Sequence, residues 1–290
     1  MFHGGWHQPC TEPCPRQPST PGDLHVSFQV NCQEIKLDMA NETFDDQYKG
    51  CTKDMENIIR SVLLEEEMSK NAKFRLVWGK AKEQWNVKKE NLTLPQGFKN
   101  ENGIALMAYI YGGKERLYRE FNEAVRYAGQ SRAYYLNHFP FKAFHFYLTR
   151  ALQLLRGDCA KTYKTEVYRG VKSKFSAKKG DKIRFGTFTS SSLDRDVARR
   201  FGTDTFFTIR TCFGVPIANF SFNPREEEVL IPENEKFKVS QFTREGNGNE
   251  ITLHSTNTTF SRYNCAYIKG QAQCARGCTN TPPCLGELTV

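Results

Sequence analysis

Three stripes of apolar residues recur at helical spacing in the first half of the chain. Met55, Ile58, Ile59, Val62 and Leu63 form one; Leu117, Phe121, Ala124, Val125 and Ala128 form a second, ending at Gly129. Phe141, Phe144, Leu148, Ala151, Leu152 and Leu155 form a third, stopped by Gly157. Positions three and four apart share a helix face, so each stripe predicts an amphipathic helix packed on a core. Residues 44–156 therefore read as helical, with Asp45 and Asp46 near the start where a helix favours acids. From Thr165 onward the pattern shortens into β-rich runs separated by turn residues: 166–169, 182–189, 205–211, 216–220, 228–231, 237–243 and 250–253. Gly246-Asn247-Gly248-Asn249 between the last two predicts a hairpin turn. Helices followed by strands indicate an α+β fold, a mainly helical N-terminal part packed on a β-rich C-terminal part. Residues 1–34 and 269–290 carry cysteines in polar surroundings, with proline prominent in the first, and read as extensions flanking a body of 35–268.

Composition narrows the class. The 290 residues include 22 Phe and 12 Tyr, so the core is expected to be aromatic-rich. A formal net charge of +9 favours anionic partners generally. The basic residues are scattered and accompany no nucleic-acid motif, so nucleic acid is not expected as a partner.

Ten cysteines say more. Cys10/Cys14 and Cys274/Cys278 have a loose spacing of four and the six histidines are dispersed, a poor match to zinc ligation, so no metal is expected. Widely spread Cys51, Cys159, Cys212 and Cys265 fit disulfides in an oxidising compartment. Four glycosylation triplets, at Asn41, Asn91, Asn219 and Asn257, lean the same way, towards an extracellular protein. No apolar signal region follows Met1, no run reaches membrane-spanning length, and TPPCLGELTV lacks a GPI-type tail. A processed form, or an incomplete gene start, is the expectation that reconciles these ends with the cysteines.

Three features carry candidate chemistry. Val167-Tyr168-Arg169-Gly170 places an arginine at a predicted strand end, where a guanidinium binds phosphate bidentately. Phe185–Leu193 contains a triple serine, a loop or a helix N-cap in which Ser192 is the capping candidate. Residues 223–232, NPREEEVLIP, run three glutamates into a buried strand. Strand alternation predicts Glu226 and Glu228 on one side and Glu227, solvated, on the other. Two carboxylates beside an anomeric carbon are the working parts of glycosidic-bond chemistry. The pattern points to cleavage of an N-glycosidic bond in a pyrophosphate-bearing nucleotide.

The order Arg, Ser-x-Ser, Glu-x-Glu resembles the signature of the vertebrate extracellular arginine-specific mono-ADP-ribosyltransferases. The segments Leu37–Ala40, Phe44–Tyr48, Ile104–Tyr109, Tyr118–Val125, His145–Leu148 and Glu226–Pro232 resemble theirs too, so the likeness spans roughly 35–268. The resemblance implies a two-sheet β core forming a cleft for NAD, which is a substrate, and transfer of ADP-ribose to arginine-bearing proteins by a monomer. It implies Glu228 as the carboxylate that stabilises the ribosyl cation and Glu226 as the receiver of the target guanidinium. It implies Arg169 as a phosphate clamp beside Gly170, and Ser190 as the support of Glu228 and the ribose. Tyr109, Ser221 and Phe201 are further candidate NAD contacts, with core packing the competing reading for Tyr109 and Phe201. Thr187 stands where relatives often carry glutamine, which removes one polar contact to NAD. Disulfides Cys51–Cys265 and Cys159–Cys212 are also implied. NAD hydrolysis with water as acceptor, and a catalytically silent binding protein, are the alternative readings.

Overall fold

A computed structural model describes residues 34–246 and 248–268. The helical half contains α1 (Thr52–Ile58), a π turn (Ile59–Leu63), α2 (Leu64–Lys70), α3 (Ala72–Lys88), α4 (Asn100–Tyr109), α5 (Leu117–Ala128), α6 (Arg132–His138), α7 (Lys142–Leu155) and α8 (Cys159–Thr162). Local caps explain several starts. Asn71 accepts from the Phe74 N–H ahead of α3, and Ser131 from Tyr134 N–H ahead of α6. Phe141 has no side-chain oxygen to cap α7. The buried Glu67 of α2 reaches across and accepts from the Lys142 and Ala143 N–H groups at 2.7 and 2.9 Å. α4 packs on α3 because residue 103 is glycine: a Cβ there would lie 2.4 Å from the Trp85 ring.

The second and third stripes bury as expected except for Ala124 and Leu155, which are partly buried, and α7 is buried nearly all round. In the first, Met55, Ile59 and Leu63 are buried at steps of four, whereas Val62 falls outside that line and is 49% exposed. Asp45 and Asp46 are not helix-start residues. Asp45 pairs with buried Arg184 at 2.6 Å and accepts the Arg262 and Tyr263 N–H groups; Asp46 accepts those of Tyr48, Cys265 and Ala266. These amides lie in segments without a strand ladder, and buried N–H groups require partners. The two acids thereby tie the chain's beginning to its C-terminal segment, as does the disulfide Cys51–Cys265 across 214 residues. Cys159–Cys212 is also present, so both pairings implied by the resemblance occur. Closing loops this long removes much denatured-state entropy in the chain-entropy model. Cys10, Cys14, Cys32, Cys274, Cys278 and Cys284 lie outside the described residues.

The strands are β1 (Ile35–Lys36), β2 (Glu166–Val171), β3 (Phe175–Ser176), β4 (Lys182–Ile183), β5 (Thr189–Ser192), β6 (Thr205–Arg210), β7 (Val215–Pro216), β8 (Glu228–Ile231), β9 (Glu235–Glu245) and β10 (Gly248–Thr259). A short helix, α9 (Arg195–Arg199), follows β5. The expected strand 182–189 is two short strands parted by Arg184–Phe188. The expected 216–220 is the end of β7 and then a 3-10 turn, Ala218–Phe220: the Ile217 N–H still bonds to the Glu228 carbonyl in register with β8, and the Phe220 N–H then folds back onto the Ile217 carbonyl. Gly246, at φ +55, turns β9 into β10; Asn247 lies outside the described residues.

β1 and β3 form a small parallel pair, and the other eight strands run β4-β9-β10-β6-β2-β5-β8-β7. β2 and β6 match along six residue pairs. β2 and β5 meet at Tyr168↔Ser192. The large sheet thus comes close to dividing into two halves along β2 and β5, and this opening is where the candidate residues converge.

Candidate active site

Arg169 is the fourth residue of β2, inside the strand rather than at its end, and is 5% exposed. Its Nη1 donates to the Ser190 carbonyl at 2.6 Å, across the opening between the half-sheets. Burial lowers its pKa to about 10, with neighbouring Tyr109 and Glu228 opposing the shift, so it is cationic at neutral pH.

Glu228 opens β8 opposite Ser192 and is 3% exposed. Burial pushes its carboxyl up to about 7; the Ser190 hydroxyl bond and Arg169 oppose this, while the Glu226 charge adds to it. One hydroxyl, one cation and a second carboxylate therefore act on a single side chain.

Glu226 reaches the same place by another route than strand alternation. It closes a 3-10 turn, Pro224–Glu226, and Glu227 follows in the left-handed region at φ +45 and ψ +46. β8 begins only at Glu228, so Glu226 lies outside the strand and its alternation. The left-handed residue turns the chain so that Glu227 is exposed while Glu226 and Glu228 are both buried. Glu226 Oε1 accepts from Asn223 Nδ2 at 2.9 Å, and its carbonyl accepts from Ser192 Oγ at 2.7 Å. Ser192 also accepts the Asp194 N–H. It is not the cap of α9, a position taken by Asp194, which accepts from the Asp196 and Val197 N–H groups.

The Ser190 strand is held from below. Tyr109 Oη and Asn122 Nδ2 both donate to the Phe188 carbonyl, at 2.7 and 3.2 Å. Tyr109 is buried, edge-on to Tyr118, Phe121 and Phe188, and burial raises its pKa. This geometry makes it a prop for the cleft wall. Thr187 is buried, and its carbonyl accepts from Thr189 Oγ1. Ser221 is buried with Oγ accepting the Asn223 N–H, one turn ahead of Glu226. Phe201 is half-buried just past α9. Gly170 is explained by packing: a Cβ there would lie 2.2 Å from the Gly202 carbonyl oxygen and 2.4 Å from that of Ala198. Substitution at Gly170 would therefore push α9 off β2 whatever binds nearby.

Two participants escaped the sequence reading. Asn223 stands three residues before Glu226, a spacing that a capping-box search marks. Asn122 lies inside the second helical stripe and carries no local signal; only tertiary packing gives it Phe188. Among the described residues no group of three His, Cys, Asp or Glu is placed to hold a metal.

A buried cation, a hydroxyl and two adjacent carboxylates at a parted mixed sheet suit a substrate bearing both phosphate and a developing glycosyl cation. This is the architecture of the ADP-ribosyl-transferring class: the solved eukaryotic mono-ADP-ribosyltransferase ART2.2, in complex with NADH, superposes with a TM-score of 0.69 at 41% identity over 80% of this chain and 99% of its own. The chain belongs to the NAD:arginine ADP-ribosyltransferase family, whose model matches residues 37–261. It is 50% identical over 256 residues to human ecto-ADP-ribosyltransferase 5, covering 87% of each chain. It is 43% identical to mouse GPI-linked NAD(P)(+)--arginine ADP-ribosyltransferase 1, over 86% of this chain and 78% of that one.

Proposed function

We propose that this chain moves ADP-ribose from NAD to arginine side chains of proteins and releases nicotinamide. The observation that carries the reading is the convergence of Arg169, Ser190 and Glu228 across the β2–β5 opening, with Glu226 beside them. Arg169 holds the pyrophosphate of NAD. The Glu228 carboxylate accepts the 2′-hydroxyl of the nicotinamide ribose, and its charge stabilises the oxocarbenium as the bond from C1′ to the nicotinamide nitrogen breaks. Nicotinamide leaves with the electron pair. Glu226 receives the target guanidinium and takes the proton lost as a guanidino nitrogen bonds to C1′. Ser190 keeps Glu228 ionised and in place, Ser221 and Asn223 set the Glu226 turn, and Tyr109 with Asn122 sets the Ser190 strand. Thr187, Phe201 and the Gly170 backbone complete the NAD-contacting surface.

The catalytic unit is 35–268, with 1–34 and 269–290 as extensions, and it acts as a monomer outside the cell, secreted or held at the surface. Two disulfides and relatives named as ecto-enzymes support the location. The defining test is incubation of the folded chain with NAD and a small guanidine. Formation of nicotinamide together with ADP-ribosylated guanidine is expected. Free ADP-ribose as the sole product identifies a hydrolase instead, and no turnover of NAD refutes the enzymatic reading.

A further inference from the structure

Asn219-Phe-Ser221 is one of the four glycosylation triplets, and its position differs from the others. Asn219 is exposed at the middle of the 3-10 turn Ala218–Phe220, between half-buried Ala218 and buried Phe220. Phe220 is buried and stacks on Trp85 at 6.1 Å with the rings 2° apart, which anchors the turn to the helical half. Ser221, the next residue, is buried as well. Asn219 is thus an exposed side chain on a backbone anchored by Phe220. Just before it, the Ile217 N–H bonds to the Glu228 carbonyl at 2.8 Å. The turn also packs against Pro224–Glu226, the turn that carries Glu226. Paired residues on adjacent strands lie about 5 Å apart, and two more residues span at most about 7 Å, so Asn219 stands within about 12 Å of Glu228. Asn41 lies ahead of the loop that bonds to Gly186, Asn91 just past α3, and Asn257 in β10. Asn219 is the one on the segment bonded to Glu228.

We propose that Asn219 carries an N-linked oligosaccharide that stands on the acceptor side of the cleft and screens protein acceptors, while small guanidines and NAD pass. The inference rests on the extracellular reading above, because the donor is a lipid-linked oligosaccharyl pyrophosphate of the secretory lumen. The Asn219 amide nitrogen bonds to C1 of the terminal N-acetylglucosamine, the bond from C1 to the pyrophosphate oxygen breaks, and the lipid pyrophosphate leaves with that electron pair. The amide gives up one proton to the transferring enzyme. Addition precedes folding, so the later burial of Ser221 is no obstacle. A bulky hydrated group at this rim adds steric repulsion against macromolecules without touching the bonds made to a small acceptor.

The test uses the full chain secreted from animal cells. Peptide mass spectrometry after release by a peptide-N-glycosidase in heavy-oxygen water, which converts each occupied asparagine to labelled aspartate, reads occupancy at all four asparagines. Asn219→Gln, and separately the folded wild-type chain treated with endoglycosidase, are assayed with arginine methyl ester and with histone as acceptors. The proposal predicts that Asn219 is occupied, that arginine methyl ester is modified within about twofold of the untreated rate, and that histone is modified about fivefold faster. An unmodified Asn219 alongside an occupied Asn41, Asn91 or Asn257 overturns the proposal alone. No occupancy at any of the four overturns it together with the extracellular reading. Equal change towards both acceptors overturns the screening role. If Asn219→Gln fails to fold, the chain carrying Asn41→Gln, Asn91→Gln and Asn257→Gln, assayed before and after deglycosylation, isolates Asn219 for the same comparison of acceptors.

Discussion

One short strand carries buried carboxylates at and beyond both of its ends, and the two ends are chemically unlike. Glu228 opens β8; Glu233 and Glu235 follow its close past Pro232. Burial raises all three, to about 7, 8 and 7 respectively. At the Glu228 end a cation, a hydroxyl and a second carboxylate meet at an opening in the sheet. At the far end Glu235 is consumed structurally: it accepts Thr211 Oγ1 at 2.6 Å and the Cys212 N–H at 2.7 Å, closing the bend between β6 and β7. Glu233 is fully buried among the helices with the His145 Nε2 at 3.7 Å, beyond hydrogen-bond reach. Burial holds His145 down to about 3, so it is neutral, and its Nδ1 is paired with Tyr48 Oη at 2.8 Å. Desolvation by itself therefore does not mark the reactive end. The gathering of a hydroxyl, a cation and a second carboxylate on one carboxyl, where β2 and β5 meet at a single residue pair, does.

The largest expected effect is at Glu228. Glu228→Gln should lower turnover of NAD by about a thousandfold, since charge aimed at the developing cation is removed from a low-dielectric site. The same change should stabilise the fold at alkaline pH. The Glu228 pKa is raised on folding, so the native state holds its proton more tightly than the unfolded chain. The carboxylate therefore costs stability as pH rises from its unfolded value through about 7, and nothing below that window. A melting temperature raised at pH 8 but not at pH 4, measured on Glu228→Gln against wild type, checks the sign. Activity should rise over the same interval as the carboxylate ionises.

Glu235→Ala comes next, and acts on stability instead. It strands the buried Thr211 hydroxyl and the Cys212 amide, for a loss of about 2–3 kcal/mol in denaturant unfolding, with NAD turnover per folded molecule unchanged. Asn223→Ala should raise KM for a small guanidine about tenfold by freeing Glu226, while KM for NAD stays put. A parallel rise in both would show that Asn223 holds the whole cleft. Glu233→Gln should be the mildest. A carboxyl that is protonated below about 8 loses little on becoming an amide, so stability at pH 7 should stay within about 1 kcal/mol and activity should be retained.

Much of this was legible in the chain, unevenly. The helical stripes around Leu117–Ala128 and Phe141–Leu155 and the strand Glu228–Ile231 were readable because burial on one face or both imposes a period. Elements set by long-range pairing were not. Asp45 and Asp46 look like helix-start acids until Arg184 and the amides around residue 265 arrive from the far end of the chain. Strand 216–220 stops after Ile217, the last residue bonded to β8, where the Phe220 N–H folds back onto the Ile217 carbonyl. At the site, the residue types of the Arg-Ser-Glu set were legible, whereas the mechanism of their convergence was not. A left-handed Glu227 is invisible to an alternation rule, and Asn122 lies within an ordinary helix face. The need for glycine at 170 is also invisible locally, since the carbonyls of Ala198 and Gly202 that exclude a Cβ there reach it only in the fold.

The central claim is that the chemistry belongs to the Glu228 end of β8 and not to the Glu233 end. Nicotinamide release from NAD, measured on the wild type, Glu228→Gln and Glu233→Gln at pH 8 with a small guanidine present, tests it directly. The account predicts near-complete loss for Glu228→Gln and near-wild-type release for Glu233→Gln. Comparable release from wild type and Glu228→Gln, or loss confined to a well-folded Glu233→Gln, would contradict it.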